Sequence, residues 1–117
     1  MEIRKASSNT KNFFLYSDQT SVLALEDSSV VGCATICYID IMPTYSHPTG
    51  RRAHIMNVYT KKEYRRKGIA LSMLKLLIED AKINKATEIS LDATELGRPL
   101  YERLGFVASQ DSMVLLI

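Results

Sequence analysis

The stretch YRRKGIA (residues 64–70) decides how this sequence is interpreted. It follows a strand-like run, AHIMNVYT (53–60), and its last residues open a helix-like run, IALSMLKLLIEDAK (69–82). The start of a helix carries unsatisfied backbone N–H groups and about half a positive charge. Gly68 has no Cβ, so a ligand can approach the backbone closely there, and three cations precede it. The stretch therefore predicts a phosphate or pyrophosphate site, with a solvated basic loop as the alternative.

The composition is that of a globular chain of 117 residues, with 46% hydrophobic and 24% charged residues, and predicts a single domain over 1–117. The net charge is only +2, yet residues 61–67 (KKEYRRK) carry five cations and one anion. The rest of the chain is therefore at −2. Such focused charge favours a small anionic ligand and argues against nucleic acid as a partner. Neither a GxxxxGK[ST] nor a GxGxxG motif is present.

The two cysteines, Cys33 and Cys37, stand four residues apart. In a strand they share a face but lie too far apart to form a disulfide, and no second pair exists. We therefore expect no metal or redox site, and free thiols predict a cytoplasmic protein. The N-terminus, MEIRKASSNT, is polar, and no apolar run approaches the length of a membrane span, so no membrane association is expected.

Hydrophobic periodicity predicts a mixed α/β chain. The helix over 68–82 has an apolar face, with Lys75, Glu79, Asp80 and Lys82 assigned to its other side. A proline-containing loop at 42–51 joins two strands as an antiparallel hairpin. The predicted strands are 2–6, 21–27, 30–42, 51–60, 88–94 and the closing segment 106–117, and the predicted helices are 10–16, 68–82 and 98–104.

Two motifs resemble the GNAT superfamily of acyl-CoA-dependent N-acyltransferases. RRKGIA (65–70) fits [QR]xxGx[GA], the pyrophosphate-binding motif of that family, and NVYTKKEYRRKGIA resembles its strand, turn and helix start in one piece. GRPLYERLGF (97–106) resembles the late helix of the family, and the likeness covers about residues 30–117. The resemblance implies the GNAT fold: a mixed central β-sheet with an antiparallel N-terminal half, splayed central strands and flanking helices.

The resemblance also implies acetyl-CoA as cofactor. The residues that would bind it lie in the splayed strand and in the basic turn, and one more precedes the late helix. They are Asn57, Val58 and Tyr59; Arg65, Arg66, Lys67, Gly68, Ile69 and Ala70; and Thr94, which stands where relatives often have Asn.

The reaction implied is transfer of an acetyl group to a primary amine of a small molecule or peptide. A backbone N–H near Val58 or Tyr59 would polarise the thioester carbonyl, and Tyr101 would protonate the departing thiolate. His54 stands where histone-type members carry a Glu base, and imidazole exchanges protons near neutral pH. Two alternatives stay open: His54 is a plain strand residue with water as the base, or the chain is a non-catalytic acyl-CoA-binding or regulatory module.

The N-terminal region is short by comparison with that family. Only residues 7–20 are available for two helices that help to wall the acceptor site in relatives, so the site is either open or completed by a second subunit. The run Phe13, Phe14, Leu15 and Tyr16 is too apolar for so short a segment to bury. It predicts a homodimer.

Overall fold

A computed structural model describes residues 1–5, 18–109 and 113–117. Within these residues one five-stranded sheet follows the order of the sequence, from β1 to β5. The strands are β1 (Glu2–Lys5), β2 (Gln19–Glu26), β3 (Ser29–Asp40), β4 (Arg51–Thr60) and β5 (Glu88–Leu91). The helices are a 3-10 turn (Lys62–Tyr64), α1 (Ile69–Ile83) and α2 (Arg98–Arg103). The predicted helix at 10–16 lies outside the described residues.

The sheet is mixed, as the sequence predicts. Strands β1 to β4 form an antiparallel meander, and β5 pairs with β4 in parallel after the α1 crossover. Asp27 and Ser28 make the two-residue turn between β2 and β3, both with positive φ (50° and 67°). That geometry matches the twist of a tight hairpin. The predicted antiparallel pairing of β3 with β4 is confirmed.

The core lies between α1 and one face of the sheet. Alternate strand residues point toward α1, among them Ile36 on β3 and Ile55 on β4, which are 0% and 2% exposed. Met73, Leu74 and Leu77 of α1 are fully buried against them. No helix within the described ranges is long and apolar enough to span a bilayer.

Asp80 is where the helix prediction was wrong. It was assigned to the solvent side of α1, but it is only 5% exposed and belongs to the buried face. Its carboxylate accepts hydrogen bonds from the Lys5 ammonium (2.8 Å) and the Tyr38 hydroxyl (2.5 Å). Burial opposes ionisation, but hydrogen bonds from Lys5, Tyr38 and Thr20 lower the pKa of Asp80 overall. A buried carboxylate is tolerated here because donors from other elements surround it, which helix periodicity does not reveal.

Two strand predictions also need correction. Strand β5 ends at Leu91 and not at residue 94, because the chain turns toward α2 from Asp92 onward. The segment 106–117 was predicted to be a strand, but its described residues, 106–109 and 113–117, belong to no strand. β-branched and apolar residues favour a strand only when a neighbouring strand supplies backbone partners.

Candidate active site

The middle of β4 carries a β-bulge. Thr35 of β3 pairs with Met56, but Cys33 pairs with Tyr59, so Asn57 and Val58 together oppose one residue of β3. Asn57 has a φ of 58°, in the left-handed region that Asn tolerates better than most residues. The Cys33 thiol lies 3.6 Å from the Asn57 carbonyl oxygen and donates to it. The bulge bends β4 and re-aims its backbone at this point.

Beyond the bulge, the edge of β4 that faces β5 is open. Pairing between the two strands runs only from Arg52 with Glu88 to Ile55 with Leu91. From Met56 onward, this edge has no strand partner among the residues described. The predicted splay of the central strands is thereby confirmed, and the backbone of Asn57, Val58 and Tyr59 lines the gap.

The basic turn after β4 ends in a bare helix start. Arg66 and Gly68 both have left-handed backbones, with φ of 65° and 76°, and Gly68 is the residue that precedes α1. Among the residues that the structure describes, no side chain caps this helix. The N–H groups at its start, including those of Ile69 and Ala70, therefore have no intrahelical acceptor and can serve a ligand.

The space in front of Gly68 is open. A Cβ built on Gly68 would meet no atom within 4 Å, so the approach to the backbone is open. Two of the neighbouring cations are engaged within the turn. The Arg65 Nε donates to the Thr60 carbonyl at 3.0 Å, and the Lys67 ammonium lies 5.4 Å from the centre of the Tyr64 ring. These side chains hold the shape of the turn, which leaves main-chain donors and the Arg66 charge for an anion.

His54 lies on the sheet face opposite α1, because its neighbours Ala53 and Ile55 are buried against the core. Its Nδ1 is 2.8 Å from the Ser90 hydroxyl on β5, and its Nε2 is 3.8 Å from an oxygen of Asp92. Sequence reasoning missed Ser90 and Asp92, since nothing in EISLDAT marked them. Only the parallel register of β4 with β5 sets His54 beside Ser90.

Cys37 is adjacent to His54 across the β3–β4 pairing. Its thiol donates to the Gln19 side-chain oxygen at 3.1 Å. Burial raises the pKa of the Cys37 thiol, so it stays protonated at neutral pH and is a poor nucleophile. Cys37 is a free thiol, as its spacing from Cys33 in one strand predicts.

Tyr101 lies on α2 with its ring over a glycine. A Cβ built on Gly97 would lie 2.8 Å from Cε2 and 3.3 Å from Cζ of Tyr101, so the ring occupies the space of the missing side chain. Phe106 contacts the ring edge-on, with centroids 6.1 Å apart. Burial raises the pKa of the Tyr101 hydroxyl, which therefore carries its proton at neutral pH, as a general acid requires.

Thr94 sets the start of this helical segment. Its hydroxyl accepts a hydrogen bond from the Gly97 N–H (3.1 Å), and its carbonyl accepts one from the Arg98 N–H (2.9 Å). In the structure Thr94 caps the turn that carries Gly97 and Tyr101, and its predicted cofactor contact stays a prediction. The sequence did not predict that the Tyr101 ring packs over Gly97, although GRPLYERLGF contains both Gly97 and Tyr101.

A model of the acetyltransferase (GNAT) family matches residues 2–106. The chain belongs to this family. The family assignment made from the two motifs is thereby confirmed.

Individual GNAT relatives span several organisms. A glucosamine 6-phosphate N-acetyltransferase from Trypanosoma brucei brucei is 29% identical over 86 residues, which are 74% of this chain and 56% of that protein. The chain thus spans little more than half the length of that relative. A crystal structure of a predicted acetyltransferase from Clostridium acetobutylicum with acetyl-CoA is 27% identical, with a TM-score of 0.86, and covers 98% of this chain and 95% of the other. A GCN5-related N-acetyltransferase from Ralstonia eutropha is 25% identical, with a TM-score of 0.77, over 86% of this chain and 65% of the other.

Proposed function

We propose that this GNAT protein transfers the acetyl group of acetyl-CoA to a primary amine of a small molecule or peptide. The observation that carries the proposal is one continuous stretch of backbone. It runs from the open β4 edge at Asn57–Tyr59 through the basic turn to the uncapped start of α1 at Gly68. Unpaired main-chain groups are thus available at both ends of this stretch. A long ligand with a diphosphate at one end needs such groups along its length.

The chain's own residues divide the work of binding. Backbone N–H groups from Arg65 to Ala70 would hold the diphosphate. The strand edge at Asn57–Tyr59 would form main-chain hydrogen bonds with the rest of the cofactor, as an edge strand does with an added strand. When bound, acetyl-CoA would supply the acetyl group as a thioester. A backbone N–H of Val58 or Tyr59 would donate toward the carbonyl oxygen, where negative charge would develop during transfer.

Two side chains would move protons. Tyr101 keeps its proton at neutral pH and would donate it to the leaving sulfur. The acceptor must lose a proton before its nitrogen can form the new bond, and His54, whose ring lies near Ser90 and Asp92, would take it. Water is the alternative base, and a His54→Gln variant distinguishes the two, because only a histidine base predicts a slower reaction with a changed pH profile.

The first test is turnover of acetyl-CoA with a panel of amines. The panel contains amino sugars, polyamines, lysine and peptides with a free N-terminus. Glucosamine 6-phosphate is included because a relative at 29% identity carries that name. Release of free thiol and the mass of the acetylated product are measured together. Binding of coenzyme A without turnover on any amine supports the non-catalytic module, and absence of binding refutes the proposal.

The second test is Tyr101→Phe, which keeps the ring on Gly97 and removes the proton. We expect kcat to fall by about 10²–10⁴ if Tyr101 is the acid, with coenzyme A affinity and Tm nearly unchanged. Parent-like turnover would show that Tyr101 only packs.

A further inference from the structure

The Cys33 thiol is hydrogen-bonded to the backbone of the bulge in β4. Its sulfur lies 3.6 Å from the Asn57 carbonyl oxygen, and a thiol is a weak donor to such an oxygen. The pairing register of β3 with β4 shifts at this point, between Cys33 and Thr35. The thiol therefore links the two strands where their regular backbone pairing is interrupted.

The Asn57 carbonyl and the Val58 N–H belong to one peptide group. That group is planar and trans, so its C=O and its N–H point in opposite directions. A donor on β3 that fixes the carbonyl therefore turns the Val58 N–H away from β3, and β3 lies on the other side of β4 from the open edge. A hydrogen bond to the carbonyl also polarises the N–H of the same group and makes it a better donor.

Gly32, the neighbour of Cys33, lets β4 come close at the same place. A Cβ built on Gly32 would lie 3.0 Å from the Tyr59 carbonyl oxygen and 3.3 Å from the Met73 methyl carbon. The methyl group ends a flexible side chain, but the carbonyl is backbone and moves only with its strand. Residues 32 and 33 of β3 thus hold the peptide groups on both sides of the Tyr59 N–H.

We propose that Cys33 is a positioning residue for acetyl transfer, because its thiol holds the peptide group that aims the Val58 N–H at the thioester carbonyl oxygen of acetyl-CoA. The inference rests on the proposed function, since it requires acetyl-CoA at the open β4 edge. The thiol forms no bond to the acetyl group and gives up no proton. It also explains how Asn57 keeps a left-handed backbone, with a φ of 58°, because a side chain of another strand secures it.

Cys33→Ala removes the thiol donor, and Cys37→Ala is its matched control. Cys37 lies on the same strand and is also a free thiol. The hydrogen bonds that the structure describes for its thiol go to the side chains of Gln19 (3.1 Å) and Met56 (3.8 Å). Each variant deletes one sulfur atom from a half-buried position, so a general loss of packing affects both alike. Only Cys33→Ala should change the Val58 N–H.

The first measurement is the ¹⁵N NMR spectrum of each chain without a ligand. The nitrogen of a peptide group responds to a hydrogen bond at the carbonyl of the same group. In Cys33→Ala, we expect Val58 to show the largest change in nitrogen shift outside β3, and in Cys37→Ala we expect no comparable change. A Val58 signal that Cys33→Ala leaves in place, or that both variants move equally, overturns the proposal.

The second measurement is calorimetry with acetyl-CoA and with coenzyme A, which differ only in the acetyl group. Cys33→Ala should bind coenzyme A like the parent, while its affinity for acetyl-CoA falls about two- to tenfold, as expected when one hydrogen bond is weakened. With an amine that the parent acetylates, kcat should fall about tenfold at an unchanged KM for the amine, since a 1 Å misplacement can cost about 10² in rate. Cys37→Ala should match the parent in all three values.

The outcomes separate this inference from the proposed function. An acetyl-CoA affinity that Cys33→Ala leaves unchanged overturns the inference, and the proposed function then still stands if the parent acetylates an amine. A parent that binds acetyl-CoA but acetylates no amine refutes the proposed function, and the affinities of Cys33→Ala then decide the inference. A parent that binds neither ligand refutes both.

Discussion

Gly97→Ala tests whether Gly97 positions Tyr101. The new Cβ would lie 2.8 Å from Cε2 of the ring, whereas ordinary contacts begin near 3.4 Å, so the ring must move by about 0.6 Å. The backbone itself accepts alanine, because Gly97 has helical angles (φ −85°, ψ −18°). Any harm from the substitution is therefore steric. Since a 1 Å misplacement can cost about 10² in rate, we expect kcat to fall about tenfold with coenzyme A affinity unchanged.

The stability of the Gly97→Ala variant provides a second test of the contact between Gly97 and the Tyr101 ring. Overpacking against Tyr101 should cost about 1–3 kcal/mol, while alanine in place of glycine at helical angles should stabilise by about 0.4–1 kcal/mol. In a Tyr101→Ala background the ring is gone, and the remaining close contact of the new Cβ is the Thr94 hydroxyl oxygen at 3.2 Å. Gly97→Ala should then lower the free energy of unfolding by more in the parent than in the Tyr101→Ala chain, as measured by urea denaturation.

Two results would refute this reasoning. The first is an equal effect of Gly97→Ala on stability in both backgrounds, which would mean that the ring is not what the Cβ meets. The second is an equal loss of kcat for Gly97→Ala in the parent and in Tyr101→Phe, which would mean that the glycine does not act through the tyrosine hydroxyl.

The remaining predictions concern the helix start and the buried carboxylate. Gly68→Val should weaken coenzyme A binding about tenfold or more in calorimetry, because a β-branched residue resists a φ of 76°, whereas Arg66→Ala should weaken it only a few-fold; equal losses would argue against a main-chain cradle. Asp80→Asn should lower the free energy of unfolding by about 2–4 kcal/mol at pH 7. Because folding lowers the Asp80 pKa below 3.8, its stabilisation is present above that value and is lost as pH falls through the lowered pKa. The parent should therefore lose stability more steeply than Asp80→Asn below about pH 4, and parallel acid-unfolding curves would contradict the assignment.

The sequence predicted the parts of the site that depend on backbone geometry encoded locally. Gly68 before an apolar periodicity was enough to place the uncapped helix start, and two strands around one loop were enough to pair β3 with β4. What it missed depends on contacts between distant segments. Asp80 is polar by type, and only Lys5 and Tyr38, far away in the chain, make its burial favourable. Ser90 reached His54 only through the parallel register.

The strand prediction at 106–117 failed for a related reason. Propensity describes how well residues suit a pleated, half-buried surface, and it does not supply the neighbour. Residues 113–117 have that propensity without a neighbour in the described chain. A segment with high strand propensity can therefore lie outside every strand of the folded chain.

The change from antiparallel to parallel pairing at β4 has a consequence for the order of folding. Strands β2, β3 and β4 are joined as successive hairpins, whereas β5 reaches β4 only after the whole of α1 has crossed over. Closing that long connection costs more chain entropy, so we expect the meander to form before β5 docks. The gap that would hold the cofactor is bounded by both parts and exists only after this last step. Amides of β5 should then exchange hydrogen faster than those of β3 in the free protein, and coenzyme A should slow β5 most; uniform protection would contradict this order.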